Sequence, residues 1–184
     1  MLRWCLAFLM LALASPASAS EPAWNALTTG GTVALIRDAR APGTGDPPGF
    51  RLTDCTTQRN LSDEGRAEAR RLGETLRGRG VTIARALSSR WCRSLDTARL
   101  AFGDRMEPFP PLDSFFGDRG QQEGQTQAVQ EAIAAWRGRS GALVLVTHQV
   151  NITALTGVFP AEGEVLVLRP RTGGGFDVVG TVRP

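Results

Sequence analysis

The chain has 184 residues, with 21 basic and 18 acidic side chains and a formal net charge of +3. Every basic residue is an arginine, and the excess is mild and spread along the chain, which excludes the clustered footprint of a nucleic-acid binder. Any anion site must therefore be built from guanidinium forks, which grip phosphate bidentately.

The N-terminus reads as a leader. Arg3 gives a positive start, Trp4 to Ala14 is apolar, Ser15-Pro16 breaks the run, and Ala17-Ser18-Ala19 is a small-x-small cleavage site. That is a secretory signal peptide, too short and wrongly flanked to span a membrane. Cleavage after Ala19 is expected, which leaves residues 20–184 as a single domain of ordinary length, periplasmic or secreted. No second apolar segment approaches membrane-spanning length. Cys5 is not placed for lipid attachment, and Cys55 and Cys92 remain as a pair that an oxidising compartment would join in a disulfide.

Three segments read as buried strands: 32–37, the weaker 84–89, and 142–147. Continuous apolar runs of this length, separated by helical stretches, mark strands covered on both faces. Between them, Ser62 is an N-cap followed by Asp63 and Glu64, with Ala69, Leu72 and Leu76 on one stripe and glycines at 78 and 80 ending the helix. Further helices are expected over 93–102, 125–137 and 150–156. Two more strands, 164–168 and 176–182, flank the turn Gly173-Gly174-Gly175. The alternation predicts an α/β fold with a largely parallel sheet. The Gly- and Pro-rich stretch 41–49 predicts a mobile surface loop directly after the first strand.

Ligands of open α/β sheets bind beyond the carboxyl ends of the strands. Those ends carry Arg37-Asp38, Ser88-Ser89 leading to Arg93, and Thr147-His148, the last being the chain's one histidine. In this setting the chain resembles the histidine phosphatase superfamily, the phosphoglycerate-mutase-like fold. Four stretches carry the resemblance in order across about residues 32–160: Ala34-Leu35-Ile36-Arg37-Asp38-Ala39, Leu61-Ser62-Asp63-Glu64-Gly65, Ser88-Ser89-Arg90-Trp91-Cys92-Arg93-Ser94-Leu95-Asp96-Thr97-Ala98, and Leu143 to His148. The resemblance implies a three-layer α/β/α sandwich and hydrolysis of a small phosphorylated molecule through a phosphohistidine, without a cofactor or metal. It implies that Arg37 and Arg93 hold the phosphoryl oxygens, with His148 as the second histidine of the pocket. Arg40, Arg59 and Arg90 lie near the same motifs without individual support. For the acid that protonates the leaving oxygen, the segment 112–123 offers Asp113, Asp118 and Glu123, none in the family's usual Glu pattern.

The departure is Asp38, which stands where the family has its nucleophilic histidine. A neutral imidazole can approach a phosphate dianion, whereas a carboxylate is repelled by it and competes with it for the same arginines. It is also shorter, and a misplacement of about 1 Å can cost on the order of a hundredfold in rate. The expectation is a phosphomonoesterase scaffold, a pseudoenzyme with activity lost or strongly reduced. An aspartyl-phosphate mechanism fits poorly, since Asp38-Ala39-Arg40 lacks the second aspartate and the chain lacks lysine. The alternative is a non-catalytic binding or sensing module that uses the Arg/His pocket. Oligomeric state is not legible, and the sequon Asn151-Ile152-Thr153 falls inside an expected helix.

Overall fold

The computed structural model describes residues 21–103 and 106–183, so the expected leader lies outside the described residues. Strands β1 (Thr32–Arg37) and β4 (Ala142–Thr147) pair in parallel at the centre, Thr32 opposite Ala142 and Arg37 opposite Thr147. Every residue of β4 is buried, as its unbroken apolar run requires. With β2 (Ile83–Ser88), β3 (Met106–Pro108), β5 (Val165–Pro170) and β6 (Phe176–Val182), the six strands lie in the order β3-β2-β4-β1-β5-β6.

The first four strands are parallel, as expected, but β5 runs antiparallel to β1, and β6 antiparallel to β5. The short glycine turn after β5 explains the ribbon: a tight turn can only join antiparallel neighbours, since a parallel pair needs a long crossover.

Helices cover both faces. Alternate residues of the strands (Ala34, Ile36, Val144, Val146, Val165) pack against Leu27 of α1 (Glu21–Thr29), Leu72 and Leu76 of α2 (Asp63–Gly78), and Ala98 of α3 (Cys92–Phe102). The other set (Val33, Leu35, Leu143, Leu145, Leu166) packs against Val129 and Ile133 of α4 (Gln122–Ala135) and Ile152 of α5 (Gln149–Thr156). This is the expected three-layer sandwich.

Local chemistry sets the helix ends. The Ser62 hydroxyl accepts the Gly65 amide at 3.1 Å, capping α2 as its sequence predicts. Gly65 and Gly73 have no Cβ where one would strike the carbonyls of Arg40 and Ala101, so α2 seats directly on the chain after β1 and on α3. Helix α1 and the three-residue β3 were not expected from the sequence. Cys55 and Cys92 form the expected disulfide, with Cα atoms 5.6 Å apart, fastening the turn at 55–57 to the first residue of α3. Among the described residues, no helix is long and apolar enough to cross a membrane.

Candidate functional site

The ends of β1, β2 and β4 sit side by side and are knitted by backbone bonds. The Asp38 amide donates to the Thr147 carbonyl at 2.8 Å, and the Ser89 amide to the Val146 carbonyl at 2.9 Å. The next residue, Ala39, donates to Thr97 Oγ1 at 3.1 Å, which fixes the turn after β1 against α3. The side chains of Asp38, Arg93 and His148 therefore converge from three separate elements into one cavity of about 210 Å³, with Arg37 on its wall.

The carboxylate of Asp38 lies within this group. Its Oδ2 is 3.1 Å from Arg93 Nε, and its Oδ1 is 3.5 Å from His148 Nδ1. Neither contact has hydrogen-bond geometry, and Arg93 Nε and His148 Nδ1 are buried donors without a hydrogen-bond partner. Arg37 is held at the rim, its Nη1 donating to the Pro160 carbonyl at 2.9 Å and its Nη2 lying 3.8 Å from Glu162.

His148 is oriented from behind. Its Nε2 is 2.8 Å from Ser89 Oγ, and its ring meets Trp91 edge-on with centroids 5.6 Å apart. Burial pushes the imidazole below its ordinary pKa, and the nearby Asp38 carboxylate does not restore it. A neutral ring with its proton on Nδ1, facing Asp38, leaves Nε2 to accept from Ser89. Burial works to raise the Asp38 carboxyl, but His148, Arg93 and Arg59 together hold it below the usual carboxylate range.

The three candidate acids do not join this group. Asp113 is 3 % exposed and does not line the cavity: it accepts the Arg90 amide at 2.8 Å, pairs with the Arg90 guanidinium at 2.6 Å and touches Ser89. Asp118 caps a short turn by accepting the Gly120 amide at 3.0 Å, and Glu123 is exposed in the first turn of α4. What the 112–118 segment contributes to the cavity is Ser114 and Phe116.

Sequence reasoning missed Asp46. The loop 41–49 is pinned rather than loose: Asp46 Oδ1 accepts Arg93 Nη1 at 2.9 Å and the Arg59 amide at 3.1 Å, and Oδ2 accepts Trp91 Nε1 at 2.9 Å. Burial raises this carboxyl, but Arg93 and the other donors lower it further, so Asp46 too is ionised. Arg59, tied to the carbonyls of Ala41 and Gly45, brings a third guanidinium to the cavity. A lone aspartate in a Gly/Pro loop carries no periodicity, so nothing in the sequence marks its partner 47 positions away. Along the cavity wall three guanidinium groups face two carboxylates. Among the described residues, no group of three His, Cys, Asp or Glu side chains could hold a metal.

Residues 51–140 match the model of the histidine phosphatase superfamily (branch 1). That stretch contains Arg93, while Asp38 and His148 lie on either side of it. Solved structures with the same fold include the protein histidine phosphatase SixA complexed with tungstate, at 18% identity and a TM-score of 0.60 over 83% of this chain and 97% of that one. Bacillus stearothermophilus YhfR shares 18% identity with a TM-score of 0.62, over 81% of this chain and 95% of its own. The phosphoglycerate mutase from Bacillus anthracis str. Sterne shares 15% with a TM-score of 0.58, over 82% and 93%. No curated protein sequence matches the chain.

Proposed function

Proceeding from a chain that belongs to the histidine phosphatase superfamily, we propose that the cavity is a phosphomonoester site whose nucleophile position is held by Asp38, so that hydrolysis is lost or strongly reduced. The observation that carries this reading is the Asp38 carboxylate itself, buried against Arg93 and His148 where an incoming phosphoryl group would need those donors. Arg37, Arg59 and Arg93 supply fixed positive charge of the kind that stabilises a phosphoryl group in transfer. An ionised carboxylate in their midst repels a phosphate dianion and takes up part of that charge. The orphan donors Arg93 Nε and His148 Nδ1 fit a site shaped for an oxyanion and only partly filled by a short side chain. The test is hydrolysis of p-nitrophenyl phosphate, with chelator present, by the chain and by Asp38→His. Turnover by the variant alone supports the reading.

A second reading, a binding module without turnover, is favoured by Asp46, a further carboxylate committed to Arg93. Histidine at position 38 would revive little in that case.

We further propose that residues 1–19 are removed on export and that the protein works in an oxidising compartment. The leader pattern and the Cys55–Cys92 disulfide support this. Sequencing the N-terminus of protein recovered outside the cytoplasm should give Ser20. A retained Met1 would count against it.

A further inference from the structure

Beside the arginine cavity runs a second groove of about 430 Å³, and Gly45, Asp46, Ser114 and Phe116 line both. Its other walls are aromatic. Phe50 and Trp91 stand with ring centroids 5.7 Å apart at 45°, and Phe116 is a large apolar side chain left 50% exposed. Gly45, at φ +69°, carries no side chain beneath the Phe116 ring, which can therefore lie over the loop.

Most polar groups of the groove are already engaged. The indole N–H of Trp91 donates to Asp46, the Asp46 carboxylate is shared with Arg93 and Arg59, the Ser114 hydroxyl accepts the Phe116 amide at 3.3 Å, and Asp118 caps its own turn. Among the described residues no arginine lines the groove, and Asp118 stands on its wall. A sugar or polyol would find few donors there, and a second phosphate would meet a carboxylate instead of a cation. A flat apolar body would find ring faces and cover Phe116 from water.

Resting on the phosphate-site reading above, we propose that the groove is the specificity subsite of that cavity and that the molecule it accepts is an aryl phosphate monoester, its phosphate on the arginines and its ring among Phe50, Trp91 and Phe116. The groove's volume suits a one- or two-ring group.

The test is calorimetric titration of the unmodified protein with 1-naphthyl phosphate, glycerol 2-phosphate and inorganic phosphate, repeated on Phe116→Ala and Phe50→Ala. The expected result is 1-naphthyl phosphate binding at least about tenfold more tightly than glycerol 2-phosphate, with the preference falling several-fold in each variant. Equal affinities for the two esters, or a preference that both variants retain, would overturn the subsite while leaving the phosphate site standing. Binding of none of the three, by the unmodified protein and by Asp38→Asn alike, would overturn the phosphate reading, and the subsite with it.

Discussion

Asp38 and Arg93, from the ends of different elements, meet at 3.1 Å with side chains only 7% and 3% exposed. A pair this deeply buried persists only when each charge answers the other, and removing one partner leaves the other uncompensated. Here Arg93 has a second carboxylate, Asp46, on its far nitrogen at 2.9 Å.

Because of that second partner, Asp38→Asn should fold. It should also release Arg93 Nε to an incoming anion. Affinity for inorganic phosphate, measured by calorimetry, is expected to rise at least about tenfold, equivalent to about 1.4 kcal/mol. Unchanged or weaker binding would mean that Asp38 does not compete for the pocket.

Stability should fall on mild acidification, with a known sign. His148 and Asp38 both have folded pKa values below their unfolded ones, so the unfolded chain binds more protons in each window and stability rises with pH. The aspartate contribution is present above the unfolded value of about 3.9 and lost as pH falls through the folded one. The buried neutral imidazole acts higher, with stability lost as pH drops below about 6.5. His148 is the chain's one histidine, so urea midpoints should decline between about pH 7.5 and 5.5, and His148→Asn should flatten that slope. A slope that survives the substitution would assign it to another group.

Reduction of the disulfide should loosen the base of the pocket. It fastens residue 55 to residue 92, next to Arg93, and closes a loop with a sequence separation of 37. Dithiothreitol, or the Cys55→Ser, Cys92→Ser double variant, is expected to cost about 2–4 kcal/mol in urea unfolding. A change below about 0.5 kcal/mol would contradict a structural role for the bond.

Much of this was legible in the sequence, and the reasons differ by element. Strands β1 and β4 fall on the expected residues because a fully buried strand has to be apolar at every position. Helix α2 was legible from a cap, an acidic first turn and a single apolar stripe. Strand β3, three residues ending in proline, carries no such pattern, and the sequence of β5 does not reveal its direction. In the pocket, Arg37, Asp38, Arg93 and His148 were found because strand ends and motif spacing place them. Asp46 and the back-support of His148 by Ser89 are long-range contacts that only the folded chain creates. Asp113 was legible as a carboxylate in the right segment, yet its partner Arg90 turns it to structural use.

Asp46 gives a prediction of its own. It is the point at which the loop 41–49 is tied to Trp91, Arg93 and the Arg59 amide, so Asp46→Ala should speed amide hydrogen exchange across that loop by at least about tenfold while α4 and β4 stay protected. Unchanged exchange would show that the loop is held by other contacts.

The central claim is that Asp38 is what separates this pocket from a working phosphatase. The most direct measurement is the rate of p-nitrophenyl phosphate hydrolysis, with chelator, by the native chain, Asp38→Asn and Asp38→His side by side. The expected result is turnover by Asp38→His alone, because only an imidazole supplies a neutral nucleophile and leaves the arginines to the phosphate. Comparable turnover by the native chain, or by the asparagine variant, would contradict the account.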